Sequence, residues 1–174
     1  MKNRVIHPIS IGPNPTHYHP LGCASKISAN FSTKKALSGL KWRNEDCSQP
    51  DYSLSIDDDT FVDLENLIFK HLNRLPADSD YIECSERTVV NGKVWREGRW
   101  AVSPEVYDSE KYPNYCNGPC YLMPKSASKT LYEMSQKTKA DLQADDALLT
   151  GVFRSKAQIP LIQVSSKPTP NQIF

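Results

Sequence analysis

Three consecutive carboxylates, Asp57, Asp58 and Asp59, and a later acidic pair, Asp145 and Asp146, are the residues of this chain best suited to chemistry. Hard oxygen ligands packed this densely suit Mg²⁺ or Mn²⁺, which bind through one or two carboxylates plus substrate phosphates. A phosphate-bearing substrate held through a metal is therefore expected at Asp57–Asp59. At the second site, a carboxylate held in a cleft can take a proton from a hydroxyl nucleophile. Both acidic runs also have a simpler reading. Acids ahead of a helix are favoured by its exposed N–H groups and partial positive charge. A calcium loop fits poorly, because counting Asp57 as position one puts Val62 where glycine is required.

The elements around these acids follow from periodicity. Tyr52, Leu54 and Ile56 alternate with Ser53 and Ser55, the pattern of a half-buried strand. Leu64, Leu67, Ile68, Leu72 and Leu75 recur at helical spacing, predicting a helix from about Thr60 to Leu75. The triple acid then lies beyond the carboxyl end of a strand, where open α/β sheets bind ligands. A helix is predicted from Phe31 to Trp42 with Ser32 as N-cap, and further helices over Ser126–Ser135 and Asp145–Phe153. Strands are predicted near Tyr81–Cys84 and Thr88–Val90, with Asn91-Gly92 offering a hairpin turn. Residues 1–28 carry Pro8, Pro13, Pro15 and Pro20 and no stable periodicity, so they read as extended or disordered. His17 and His19 in that segment read as a solvated loop.

At 174 residues and 39% hydrophobic the chain can form one domain with a core. A net charge of +1 gives no electrostatic reason to expect nucleic acid or an anionic membrane. No apolar run approaches the roughly 20 residues of a membrane span, and no signal-peptide core is visible. Cys23, Cys47, Cys84, Cys116 and Cys120 lack CxxC spacing, and no histidine lies close in sequence to Cys116 and Cys120, so zinc is not supported. They are either buried thiols or partly paired in a secretory compartment. The sequon Asn30-Phe31-Ser32 leans towards the latter.

A third block, from Lys111 to Tyr121, combines Pro113, Gly118 and Pro119 with Tyr112, Tyr115 and Tyr121. Proline fixes φ, glycine permits positive φ, and tyrosines offer flat faces with a polar edge, suited to sugars or to a packed loop. Taken in order, the segment Ala36–Asp59, then Trp100-Ala101-Val102-Ser103, then Tyr112–Gly118, then Asp145-Asp146 resembles the β-1,3-galactosyltransferase-like hexosyltransferases. That family shows a sequon, a helix ending in Gly-Leu-Lys-Trp, a cysteine and a strand ending in Asp-Asp-Asp. Its later blocks are "W-x-V-S … YPPYCSG" and Glu-Asp-Val. The match runs from about Asn30 to Gln163.

The resemblance implies a GT-A-type, Rossmann-like mixed α/β fold and a nucleotide sugar used with Mn²⁺ or Mg²⁺. By position, Asp57, Asp58 and Asp59 are expected to hold metal and donor, with Asp59 the direct ligand, and Asp146 to be the general base of an inverting transfer. Trp100, Tyr112, Tyr115, Gly118 and Asp145 are expected on the acceptor side or in its support, and Cys47 and Cys116 as disulfide partners. The expected substrates are a UDP-sugar (galactose, N-acetylglucosamine or N-acetylgalactosamine) and a glycan or glycoprotein hydroxyl. The expected place is the lumenal side of the Golgi membrane.

Departures define the rival readings. Residues 1–28 match nothing in the family, residues 29–174 read as a partial catalytic domain, and the family's anchor and first nucleotide-cradling region are not seen. Cys120 replaces a small residue, Asp145-Asp146-Ala147 replaces Glu-Asp-Val, and no histidine follows Asp146 to serve as a late metal ligand. An inactive homologue with a binding or regulatory role is the main alternative. A cytosolic protein whose acidic loop binds divalent cations for structural reasons is the weaker one. Without leading strands the sheet is expected to expose an apolar edge, which predicts marginal stability or aggregation.

Overall fold

The computed structural model describes residues 4–9, 32–72, 80–85, 87–139 and 141–163. Asn30, Cys23, His17 and His19, and most of the segment 1–28, lie outside those residues. The alternating segment after Pro50 forms β2 (Tyr52–Asp57), second in the sheet. It pairs antiparallel with β1 (Arg4–Ile9) on one side and β6 (Cys120–Pro124) on the other. β3 (Ile82–Cys84) follows β6, antiparallel, and β7 (Leu161–Gln163) closes the sheet parallel to β3. The order β1-β2-β6-β3-β7 makes a mixed sheet flanked by helices, the GT-A-type α/β architecture expected from the sequence. Strands β2, β3 and β7 run the same way, so their carboxyl ends share one edge.

Strand periodicity decides what each face of the sheet buries. Tyr52, Leu54 and Ile56 join Cys120 and Leu122 against Leu67, Ile68 and Leu72 of the helix that follows the acids. Tyr121 and Met123, on the opposite face, join Ala36 and Leu40 of α1 (Ser32–Glu45), Ala127 and Leu131 of α2 (Lys125–Lys137), and Leu148, Leu149 and Phe153. On that face β2 offers Ser53 and Ser55, both buried. Arg43 of α1 is buried and spans the gap, donating to Ser53 Oγ at 2.7 Å, Cys47 O at 2.8 Å and Pro50 O at 2.5 Å. These bonds fix the loop that feeds β2.

β1 lies beyond β2 as the outermost strand, a place compatible with Pro8 because proline lacks a ladder donor. Two expectations are corrected. Asn91-Gly92 does not close a hairpin onto the next strand. β4 (Thr88–Val89) pairs instead with β5 (Tyr115–Cys116), and Asn91 turns the chain outward at φ +50°. Cys116 is bonded to Cys84, not to Cys47. Cys84 ends β3 and Cys116 ends β5, which the β4–β5 ladder lays alongside, whereas Cys47 is buried in the loop after α1.

Candidate active site

The chain leaves β2 in a tight turn, with Thr60 N–H donating to Asp57 O at 3.1 Å. Asp57 is half-buried, while Asp58 and Asp59 are exposed. The helix beyond, π-helical over Asn66–His71, takes its cap from Asp63, whose Oδ1 accepts from Asn66 N–H at 2.9 Å. The hydrogen-bonded cap of that helix is thus Asp63. Among the described residues no three carboxylate, histidine or cysteine side chains converge so as to hold a metal ion by themselves. A divalent ion here would need phosphate and water oxygens to complete its shell, which is how Mg²⁺ and its relatives are held beside a substrate.

Asp146 opens the second helix of the site, π-helical over Ala147–Phe153 and continued by α3 (Arg154–Lys156). Its Oδ1 accepts from Ala147 N–H at 2.8 Å, an N-terminal cap, and its Oδ2 accepts from Gly118 N–H at 3.3 Å. Two amide donors favour the charged carboxylate. Asp145 is buried beside it. Gly118 adopts φ +59°, a region open to glycine at no steric cost, and this aims its N–H at Asp146. The next residue, Pro119, accepts from Asp57 N–H at 2.8 Å through its carbonyl. The turn Asn117–Pro119 thus touches both acidic runs through its backbone.

The helix carrying Asp146 is fastened to the segment 113–118 along one face. Cys116 N–H donates to Thr150 Oγ1 at 2.9 Å, Thr150 Oγ1 donates to Asp146 O at 2.7 Å, and Arg154 donates to Asn114 O at 2.7 Å. Between them, Gly151 has no room for more: a Cβ there would sit 3.1 Å from Tyr115 Cβ. Sequence reasoning passed over Thr150 and Arg154, although their spacing of four and eight from Asp146 places all three on one helical face.

The tyrosines form a contiguous wall. Tyr107 and Tyr112 have ring centroids 5.1 Å apart, and Tyr112 and Tyr115 meet edge-on at 6.0 Å. Burial pushes the Tyr112 hydroxyl up to about 12, with Tyr115 and Tyr107 adding to the effect. Burial also raises Tyr115, and the Asp146 carboxylate raises it further. Both stay neutral hydrogen-bonding groups beside Asp146. Trp100 is placed differently: it stands on the excursion between Lys93 and Lys111, 53% exposed, its ring 5.0 Å from the Arg99 guanidinium. Arg96 organises that excursion, donating to Val102 O, Tyr107 O and Ser109 O at 2.8–2.9 Å.

A sequence model described as "Galactosyltransferase" matches residues 30–165, most of the chain and all of this site. The chain belongs to the galactosyltransferase family. Beta-1,3-galactosyltransferase 1 of Mus musculus and of Homo sapiens are each 27% identical to it over 140 residues, 79% of this chain and 39% of theirs. Beta-1,3-galactosyltransferase 2 of Homo sapiens is 27% identical over 141 residues, 80% of this chain and 32% of that protein. The chain thus spans well under half the length of these relatives. The stretch it shares with the family includes the triple acid, the Tyr112–Gly118 segment and Asp146. No helix among the described residues is long and apolar enough to cross a membrane.

Proposed function

We propose that this chain carries the catalytic edge of a metal-dependent, inverting hexosyltransferase that moves a hexose from a UDP-sugar to a glycan hydroxyl, in a β-1,3 linkage. The observation that carries the reading is the Asn117–Pro119 turn, which bonds Asp57 through Pro119 O and Asp146 through Gly118 N–H. Asp59, with Asp57 and Asp58 beside it, holds Mn²⁺ or Mg²⁺, which supplies positive charge against the donor's diphosphate. Asp146 accepts the proton of the acceptor hydroxyl as its oxygen bonds to the anomeric carbon. The bond from that carbon to the phosphate oxygen breaks, and UDP leaves with the electron pair. Inversion needs one such displacement and no enzyme nucleophile. The tyrosine wall offers apolar faces and hydroxyls for a sugar acceptor. By family, the setting is the lumenal side of the Golgi.

A second reading has its own support: without three converging ligands, the edge could be a donor-deficient homologue acting as a binding partner. Calorimetric titration of UDP separates the two. Binding that requires Mn²⁺ and vanishes in Asp59→Ala supports the transferase. Folded protein that binds no UDP under either condition contradicts it and favours the binding partner.

A further inference from the structure

The segments that form the carboxyl edge, residues 57–60, 85–88, 116–119 and 145–146, contain Asp57, Asp58, Asp59, Glu86, Asp145 and Asp146, of which Glu86 lies outside the described residues. Among their described residues the one cation is Arg87. Its backbone is held on three sides. The Cys84–Cys116 disulfide precedes it, Thr88 pairs with Cys116 after it, and its own carbonyl accepts from Asn117 N–H at 2.9 Å. Arg87 is thereby locked to the turn that joins the two acidic runs. Its side chain is exposed and, among the described residues, makes no hydrogen bond or ion pair. Its charge works against the rise of the Tyr115 hydroxyl, so the guanidinium is within electrostatic reach of the phenol beside Asp146.

A guanidinium with its donors unspent, carried on a fixed backbone near carboxylates, suits an anion that must enter there. Guanidinium matches phosphate oxygens with a two-pronged fork, and a diphosphate is also where charge accumulates as the sugar departs. We propose that Arg87 is a positioning residue for the donor diphosphate, gripping it from the Asn117 end of the turn. This rests on the donor reading given above.

The test titrates UDP in Mn²⁺ into the full chain as wild type, Arg87→Gln and Arg87→Lys, with Mn²⁺ alone titrated in parallel. Loss of one charge-assisted contact at an open rim should weaken UDP about tenfold in Arg87→Gln. Arg87→Lys should fall between, because lysine keeps the charge and loses the fork. Mn²⁺ affinity and the unfolding midpoint should not move. Equal UDP affinity in wild type and Arg87→Gln overturns the assignment and leaves the donor reading standing. Folded wild type that binds no UDP overturns both.

Discussion

Thr150→Val removes one hydroxyl from the centre of the site while keeping the side chain's shape. Thr150 is fully buried, and its Oγ1 both accepts from Cys116 N–H at 2.9 Å and donates to Asp146 O at 2.7 Å. In the variant a buried N–H loses its hydroxyl acceptor, a change that costs about 1–3 kcal/mol. The Asp146 carbonyl loses less, since a carbonyl has two lone pairs. A net cost of about 2 kcal/mol follows, which lowers Tm by about 4–8 °C for a domain of this size. The assay is thermal and urea unfolding of wild type, Thr150→Val and Thr150→Ser. Serine keeps the hydroxyl and gives up one methyl, so it should cost about 1 kcal/mol and lie between the other two. A Thr150→Val protein within about 1 °C of wild type would refute the reasoning, as would serine proving no better than valine.

Gly118→Ala places a Cβ where nothing lies within 4 Å but φ is +59°, so its cost is conformational, about 1–2 kcal/mol, and reads out as a lower urea midpoint. Cys84→Ser opens a 32-residue separation in sequence and should cost about 3–4 kcal/mol in unfolding. Reducing agent should reproduce that loss in wild type and add nothing to the variant. Tyr112 has its hydroxyl held at about 12 by burial, above the usual 10. Stability from that group is complete below pH 10 and is lost as pH climbs from 10 to 12, because the unfolded chain ionises first. Tyr112→Phe should therefore flatten the alkaline limb of a stability–pH profile, and an unchanged limb would contradict the assigned burial.

How legible the fold was in the sequence depended on the kind of interaction. Elements with a strong apolar period, such as β2 over Tyr52–Asp57 and α2 over Lys125–Lys137, lay within a few residues of where periodicity put them. β1 was not foreseen, since a proline in a short segment reads as a breaker, and only its place at the sheet edge makes Pro8 acceptable. The partner of Cys116 could not be read from spacing, because it is set by the β4–β5 ladder, a pairing of residues 28 apart at Thr88 and Cys116. The density of the triple acid marks it in the sequence, whereas the cap of the following helix, Asp63, shows only through its bond to Asn66 N–H, and Asp146 does cap its own helix. Arg43 and Thr150 were passed over because a buried polar residue declares itself through its partners, and those are distant in sequence or in backbone atoms. Trp100 was grouped with Tyr112 and Tyr115 by motif order, but its ring stands under Arg99 on the outer excursion.

The central claim is our proposal that Asp57–Asp59 and Asp146 face one cleft across the Asn117–Pro119 turn. Backbone amide NMR of the chain with UDP and substoichiometric Mn²⁺ tests it without an acceptor, since the paramagnetic ion broadens only signals near it. The account predicts selective loss of the Asp59, Gly118 and Ala147 amides, abolished in Asp59→Ala, while those at the start of α2 near Lys125, beside Asp51 at the opposite end of β2, persist. Broadening that spares Gly118 and Ala147 while removing Asp59 would separate the two acidic runs and contradict the shared cleft.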